Sequence, residues 1–143
     1  MNPQIARSIR ARSASHILDH SGVIPDDAAI YTLADPRDMQ CVRYVGQTAC
    51  PRRRYLQHLN TAKLWLPDEL PWWIKSPKLR PLHGWIRDLY CEQSRLPVMV
   101  VIAWTQARQA RAEERNRILE YLGHQLPLLN WESEMLRKQP LLI

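Results

Sequence analysis

The stretch Ala29–His58 decides the fold. It reads A-I-Y-T-L over residues 29–33, R-Y-V-G-Q-T over 43–48 and P-R-R-R-Y-L-Q-H over 51–58. The first two runs are short, apolar and β-branched, and each holds one tyrosine, Tyr31 and Tyr44. Their short connection predicts an antiparallel pair. The second run ends in Gly46, and Pro51 then opens a helix, a position that tolerates a missing N–H. Within that helix Arg54 and His58 are four residues apart, about one turn, so both lie on one face. Two phenols, a guanidinium and an imidazole near one strand end are the parts of a site that handles phosphate.

Outward from this core the pattern alternates. Residues 3–20 read as an amphipathic helix, with Ile5, Ile9 and Ile17 near one side, stopped by Ser21-Gly22. Pro25-Asp26-Asp27 is a turn, Ala28–Ala34 the first strand, Asp35-Pro36-Arg37-Asp38 a second turn, and Cys41–Val45 the second strand. The helix from Pro51 runs to about Lys63. Pro67, Pro71, Pro77 and Pro81 break residues 64–81 into loop with short helical pieces, packed by Trp72 and Trp73. His83–Glu92 reads as a helix. Leu96–Trp104 is apolar on both faces and predicts a central strand. Thr105 is placed to cap a last long helix ending near Gly123. Leu126–Asn130 is an extended return, and the remainder a surface tail. The expected architecture is α/β, a small three-stranded mixed sheet flanked by helices, with an N-terminal helix. The expected divisions are an N-terminal extension over 1–27, a core domain over 28–131 and a tail over 132–143.

The chain of 143 residues, with six Trp and no Phe, is long enough to bury a core. Its formal charge is +6 and its pI about 9.6, which favours a polyanionic partner. Cys41, Cys50 and Cys91 are scattered without a C-x-x-C pair, which argues against a cysteine zinc site and fits a reducing, cytoplasmic setting. The longest apolar run, Pro97–Trp104, is too short to span a bilayer. His16 and His20 would share a helix face, but such a pair without a glutamate of metalloprotease type reads as structural.

Glu114 stands out on helix geometry alone. It shares a face with Ala107, Ala110, Ile118 and Tyr121, where a lone carboxylate is costly to bury without a partner. Its neighbour Glu113 falls on a polar face and is set to pair with Arg117. Glu114 is therefore either a metal ligand or half of a buried salt bridge, with Arg54 as the partner. Hydrolysis of a phosphodiester needs a base for the attacking water, positive charge for the transition state and help for the leaving oxygen. Arg54 suits the phosphate clamp, because a guanidinium matches phosphate with paired donors. Arg52 and Arg53 point elsewhere and would touch flanking backbone or water. Tyr44 is a candidate base or water-positioning group with Tyr31 as its partner, on condition that a nearby cation lowers the phenol pKa. Otherwise both are strand tyrosines with satisfied hydroxyls. His58 is suited to passing protons or binding a phenol, or is simply a helix histidine at the sheet edge. Gly46 allows close approach of the backbone to phosphate.

Taken in order, these residues resemble the GIY-YIG nucleases. Ala29-Ile30-Tyr31 stands where that family has Gly-Ile-Tyr, and Tyr44-Val45-Gly46 where it has Tyr-Ile-Gly. Gln47-Thr48 follows, and Arg54 and His58 fall eight and twelve residues after Gly46. Glu114 and Asn130 match the family's later carboxylate and Asn, the latter either holding the site together or touching substrate. The resemblance implies an endonuclease that hydrolyses DNA with a single divalent ion, Mg²⁺ or Mn²⁺, on Glu114. One active site per chain implies a homodimer, a targeting partner protein or sequential nicking for double-strand cleavage. Ala29 in place of glycine departs from the family. A non-catalytic nucleic-acid-binding or assembly protein of the same fold, or an RNA nuclease, are the alternatives.

Overall fold

A computed structural model describes residues 14–64 and 80–130. Four strands form one mixed sheet in the order β1-β4-β2-β3. They are β1 (Ile17–Asp19), β2 (Ala28–Asp35), β3 (Asp38–Thr48) and β4 (Val98–Thr105). The described helices are α1 (Pro51–Thr61), α2 (Pro81–Gln93) and α3 (Ala107–Gly123). The expected Trp72-Trp73 loop and the tail over 132–143 lie outside the described residues.

The antiparallel β2–β3 hairpin is as expected, with both strands longer than their apolar runs. β2 is buried along nearly its whole length, so A-A-I-Y-T-L-A shows no polar alternation. Its odd residues Ala29, Tyr31 and Leu33 face a core with Tyr55 and Leu59 of α1, Leu82 and Ile86 of α2, and Met99 and Val101 of β4. Ile30 faces the opposite side, against Val42 and Val45 of β3, Ile118 of α3 and Leu128. Helices thus cover both faces of the sheet. This double cover is why β2 and β4 read as continuous hydrophobic runs.

The fourth strand is a difference from the expected three. Residues 3–20 were read as a helix; residues 3–13 lie outside the described residues, while Ala14–His16 form a 3₁₀ turn and Ile17–Asp19 a strand. β1 pairs in parallel with Met99–Val101, and the His20 amide continues the ladder to the Val101 carbonyl at 2.9 Å. At Ile17 the helical spacing lost to an open sheet edge, because the backbone groups of β4 need partners. The segment before residue 28 therefore contributes to the sheet and is not purely a helical extension. For the same reason His16 and His20 bracket a strand and do not share a helix turn.

Three smaller corrections follow. α2 begins two residues before His83, with Pro81 in its first turn. Thr105 does not cap α3: it remains in β4, paired with Ala28, and Gln106 occupies the cap position. Arg117 pairs with Glu120 at 3.6 Å, across one turn in the C-terminal direction from the expected Glu113. Among the described residues no helix is long and apolar enough to cross a membrane.

Candidate active site

Tyr31 is aimed by strand register. It sits opposite Gly46 on β3, and its pairing with β4 slips between Ile30 and Tyr31. Such bulges re-aim side chains and often adjoin functional sites. The phenol then lies across Gly46, where a Cβ would collide with the Tyr31 ring and hydroxyl. Gly46 thus makes room for the phenol of Tyr31, whereas the sequence suggested room for phosphate. Ala29, the departure from the family pattern, is fully buried in the same core and fills space there.

Helix α1 supplies the facing groups. Tyr55 and Leu59 bury its inner stripe, and the Tyr55 hydroxyl donates to the Pro97 carbonyl at 2.7 Å, tying the helix to the entry of β4. The buried Arg87 of α2 donates to the Lys63 carbonyl at 2.6 Å, placing positive charge just past the C-terminus of α1, where the helix dipole favours it. With the helix fixed in this way, Arg54 and His58 face the tyrosines. His58 is 1% exposed, and its Nε2 is 2.7 Å from the Tyr31 hydroxyl. The ring centroids of Tyr31 and Tyr44 lie 6.1 Å apart, and those of Tyr44 and His58 5.5 Å apart. Arg54 is half-buried; its guanidinium donates to Gln57 Oε1 at 3.3 Å, and its charge acts on both phenols. Tyr31, Tyr44, Arg54 and His58 therefore converge.

The electrostatics of this cluster follow from burial. Desolvation, with the neighbouring Tyr44 phenol, raises the Tyr31 pKa well above the usual tyrosine value, and Arg54 offsets this without reversing it. Tyr31 is thus a neutral hydrogen-bonding group, contrary to the lowered pKa that a base would require. Burial, then the charge of Arg54 and the proximity of His83, lower His58 to about 3. Its imidazole is neutral at physiological pH. For Arg54, burial opposes the charge, but the interactions with Tyr31 and Tyr44 outweigh it and raise the guanidinium pKa.

The remaining candidates divide. Arg52 and Arg53 are exposed, lining an open hollow of about 390 Å³ with Cys50, Leu56, Gln57 and Asn60. Asn130 is buried and committed to the backbone of Val45: its Oδ1 accepts from the Val45 amide at 3.0 Å and its Nδ2 donates to the Val45 carbonyl at 2.7 Å. With the Leu129 amide on the Arg43 carbonyl, it completes the outer edge of β3 beside Tyr44 and Gly46. Glu114 is half-buried on the flank of α3 between the buried Ala110 and Ile118. Although that flank packs on the Ile30–Val45 side of the sheet, the charge of Glu114 reaches Tyr31 and helps hold its pKa up.

Among the described residues no group of three or more His, Cys, Asp or Glu side chains could hold a metal ion. What is present is one carboxylate, Glu114, whose charge reaches the Tyr31 phenol. A single carboxylate is a sparse site even for a hard cation such as Mg²⁺, which binds through one or two carboxylates only when substrate phosphate and water complete its shell. Sequence reasoning missed two contributors, His83 beside His58 and Arg87 under α1. Both come from α2, which follows a proline-rich segment, so no short spacing links them to Arg54 or His58. Comparison with protein-family models, curated proteins and solved structures found no match to this chain.

Proposed function

We propose that the protein is a metal-dependent endonuclease of GIY-YIG type acting on DNA. The observation that carries this reading is the convergence of the buried Tyr31–His58 pair, Tyr44 and Arg54 between the β2–β3 hairpin and α1. A structural tyrosine–histidine pair needs no arginine beside it, and a half-buried guanidinium held charged by two phenols is a ready receptor for an anion.

The division of labour follows from exposure. Tyr31 is fully buried, whereas Tyr44 is partly open. Tyr44 is therefore the phenol that meets the attacking water, and Tyr31 is the support behind it. Arg54 binds the scissile phosphate and stabilises the charge that grows on its oxygens. Glu114 would hold the divalent ion, which when bound supplies further charge stabilisation and lowers the pKa of water. Arg52 and Arg53 follow the flanking backbone. Binding rests on phosphate contacts, with dissociation constants on the order of 10⁻⁴ to 10⁻⁶ M and strong salt dependence.

The test is nicking of supercoiled plasmid by the full chain with Mg²⁺ or Mn²⁺. Nicking that EDTA abolishes, with RNA of matched length left intact, is the expected result. DNA retention without cleavage under any divalent ion would instead favour a binding protein that keeps the fold, and faster cleavage of RNA would reassign the substrate.

A further inference from the structure

We propose that His83 is a positioning residue: together with His58 and Tyr31 it forms a hydrogen-bonded file that fixes one tautomer of His58 and thereby turns the Tyr31 phenol oxygen toward Arg54. Its catalytic consequence rests on the nuclease reading, but the file itself does not.

The geometry gives three links. Tyr31 Oη is 2.7 Å from His58 Nε2, and His58 Nδ1 is 3.4 Å from His83 Nε2. The two imidazole centroids are 5.6 Å apart, with planes tilted by 34°. At the inner end, Arg54 interacts with the Tyr31 phenol. A guanidinium only donates hydrogen bonds, and a phenol has a single proton to give. The Arg54 charge acts on the Tyr31 phenol, which favours turning a lone pair of the oxygen toward the guanidinium and the proton away from it. The Tyr31 proton, buried with its oxygen, goes to His58 Nε2. A neutral imidazole carries one N–H, so the His58 proton sits on Nδ1 and is donated to His83 Nε2. His83 is half-buried, and its own proton is then on Nδ1.

Each member depends on the next. Without an acceptor at His83, the Nδ1–H of a buried His58 loses its partner, and the alternative Nε2–H tautomer becomes competitive. That tautomer would donate to Tyr31 and force the phenol proton elsewhere, against the N–H groups of Arg54. The same logic governs metal-ligating histidines, where loss of the outer partner on the far nitrogen typically costs about 10- to 100-fold in activity or affinity. The charged and titratable groups acting on the file are Arg54 from α1, Tyr44 from β3, Glu114 from α3, and Arg80 just before α2.

Long-range ¹H–¹⁵N correlation spectra of the imidazoles in the full chain at neutral pH test the file directly. The expected wild-type result is a single neutral Nδ1–H tautomer for His58. His83→Ala should mix the two tautomers, and His83→Gln, which restores an acceptor, should recover the single form. On plasmid, His83→Ala should lower kcat by about 10- to 100-fold with KM unchanged, and His83→Gln should regain most of the loss. A wild-type His58 protonated on Nε2 overturns the proposal without need of any variant, as does a folded His83→Ala protein with unaltered tautomer and rate. If the wild type cleaves nothing, the nuclease reading fails, while the spectra still decide on the file.

Discussion

Arg53 and Arg54 are adjacent in the chain, carry the same side chain and occupy the same first turns of α1, yet the fold gives them opposite surroundings. Arg53, like Arg52, is exposed beside an open hollow. Arg54, one step of about 100° further round the helix, is half-buried, and its charge acts on two phenols. The difference lies in what each faces: water in one case, the fixed array of Tyr31, Tyr44 and His58 in the other. Charge in a helix becomes a candidate site only where the sheet presents oriented partners to it.

Substitution at the inner position should have the largest effect. Arg54→Ala is expected to lower the nicking rate by roughly 10²- to 10³-fold, as for other preorganised donors to a developing anion. Steady-state kinetics would check it, and a rate within threefold of wild type would move Arg54 out of the mechanism. The partner array can also be broken from the other strand. In Gly46→Ala the added methyl meets the Tyr31 phenol, and overpacking of this kind costs about 1–3 kcal/mol. By contrast, a Cβ at Gly84 in α2 meets no described atom within 4 Å, so Gly84→Ala should be neutral or stabilising by up to about 1 kcal/mol. Urea unfolding of the two variants sets the cavity side of the site against a solvated helix position.

How much of this was legible in the sequence depends on whether a contact runs along the chain or across it. Tyr31, Tyr44, Arg54 and His58 could be grouped because a hairpin and one helix turn have fixed geometry. The central strand at Val98–Thr105 was readable from its two-sided hydrophobicity. Ile17–Asp19 was not, since its partner is a strand about 80 residues away, and a three-residue edge strand carries no periodicity of its own. The sequence marks Gly46 as a point of close approach, but which group approaches, Tyr31, follows only from the strand register. Asn130 is open between two roles in the sequence, and its two bonds to Val45 depend on a contact across the chain that no spacing reveals. His83 and Arg87 escaped notice because their partners lie on α1, beyond the proline-rich segment.

The burial that distinguishes the inner site should also appear as a pH effect. His58 titrates near 6.5 in the unfolded chain and at about 3 in the folded one. Between these values the unfolded state binds the extra proton. The contribution is therefore complete above about pH 6.5 and is lost as pH falls toward 3. About 2 kcal/mol should disappear between roughly pH 7.5 and pH 5. His58→Gln, which does not titrate, should show a flatter profile. A wild-type stability constant over that range would mean that His58 titrates in the folded chain as it does in the unfolded one. At the small end of the scale, Arg53→Ala should leave the turnover rate unchanged and reduce the salt dependence of DNA binding by about one counterion.

The most direct measurement of the central claim is plasmid nicking by Glu114→Gln, an isosteric change that removes the charge and keeps the side-chain volume, run beside a DNA-binding isotherm. The account predicts loss of metal-dependent nicking with affinity for DNA retained. Nicking at the wild-type rate by Glu114→Gln would contradict it.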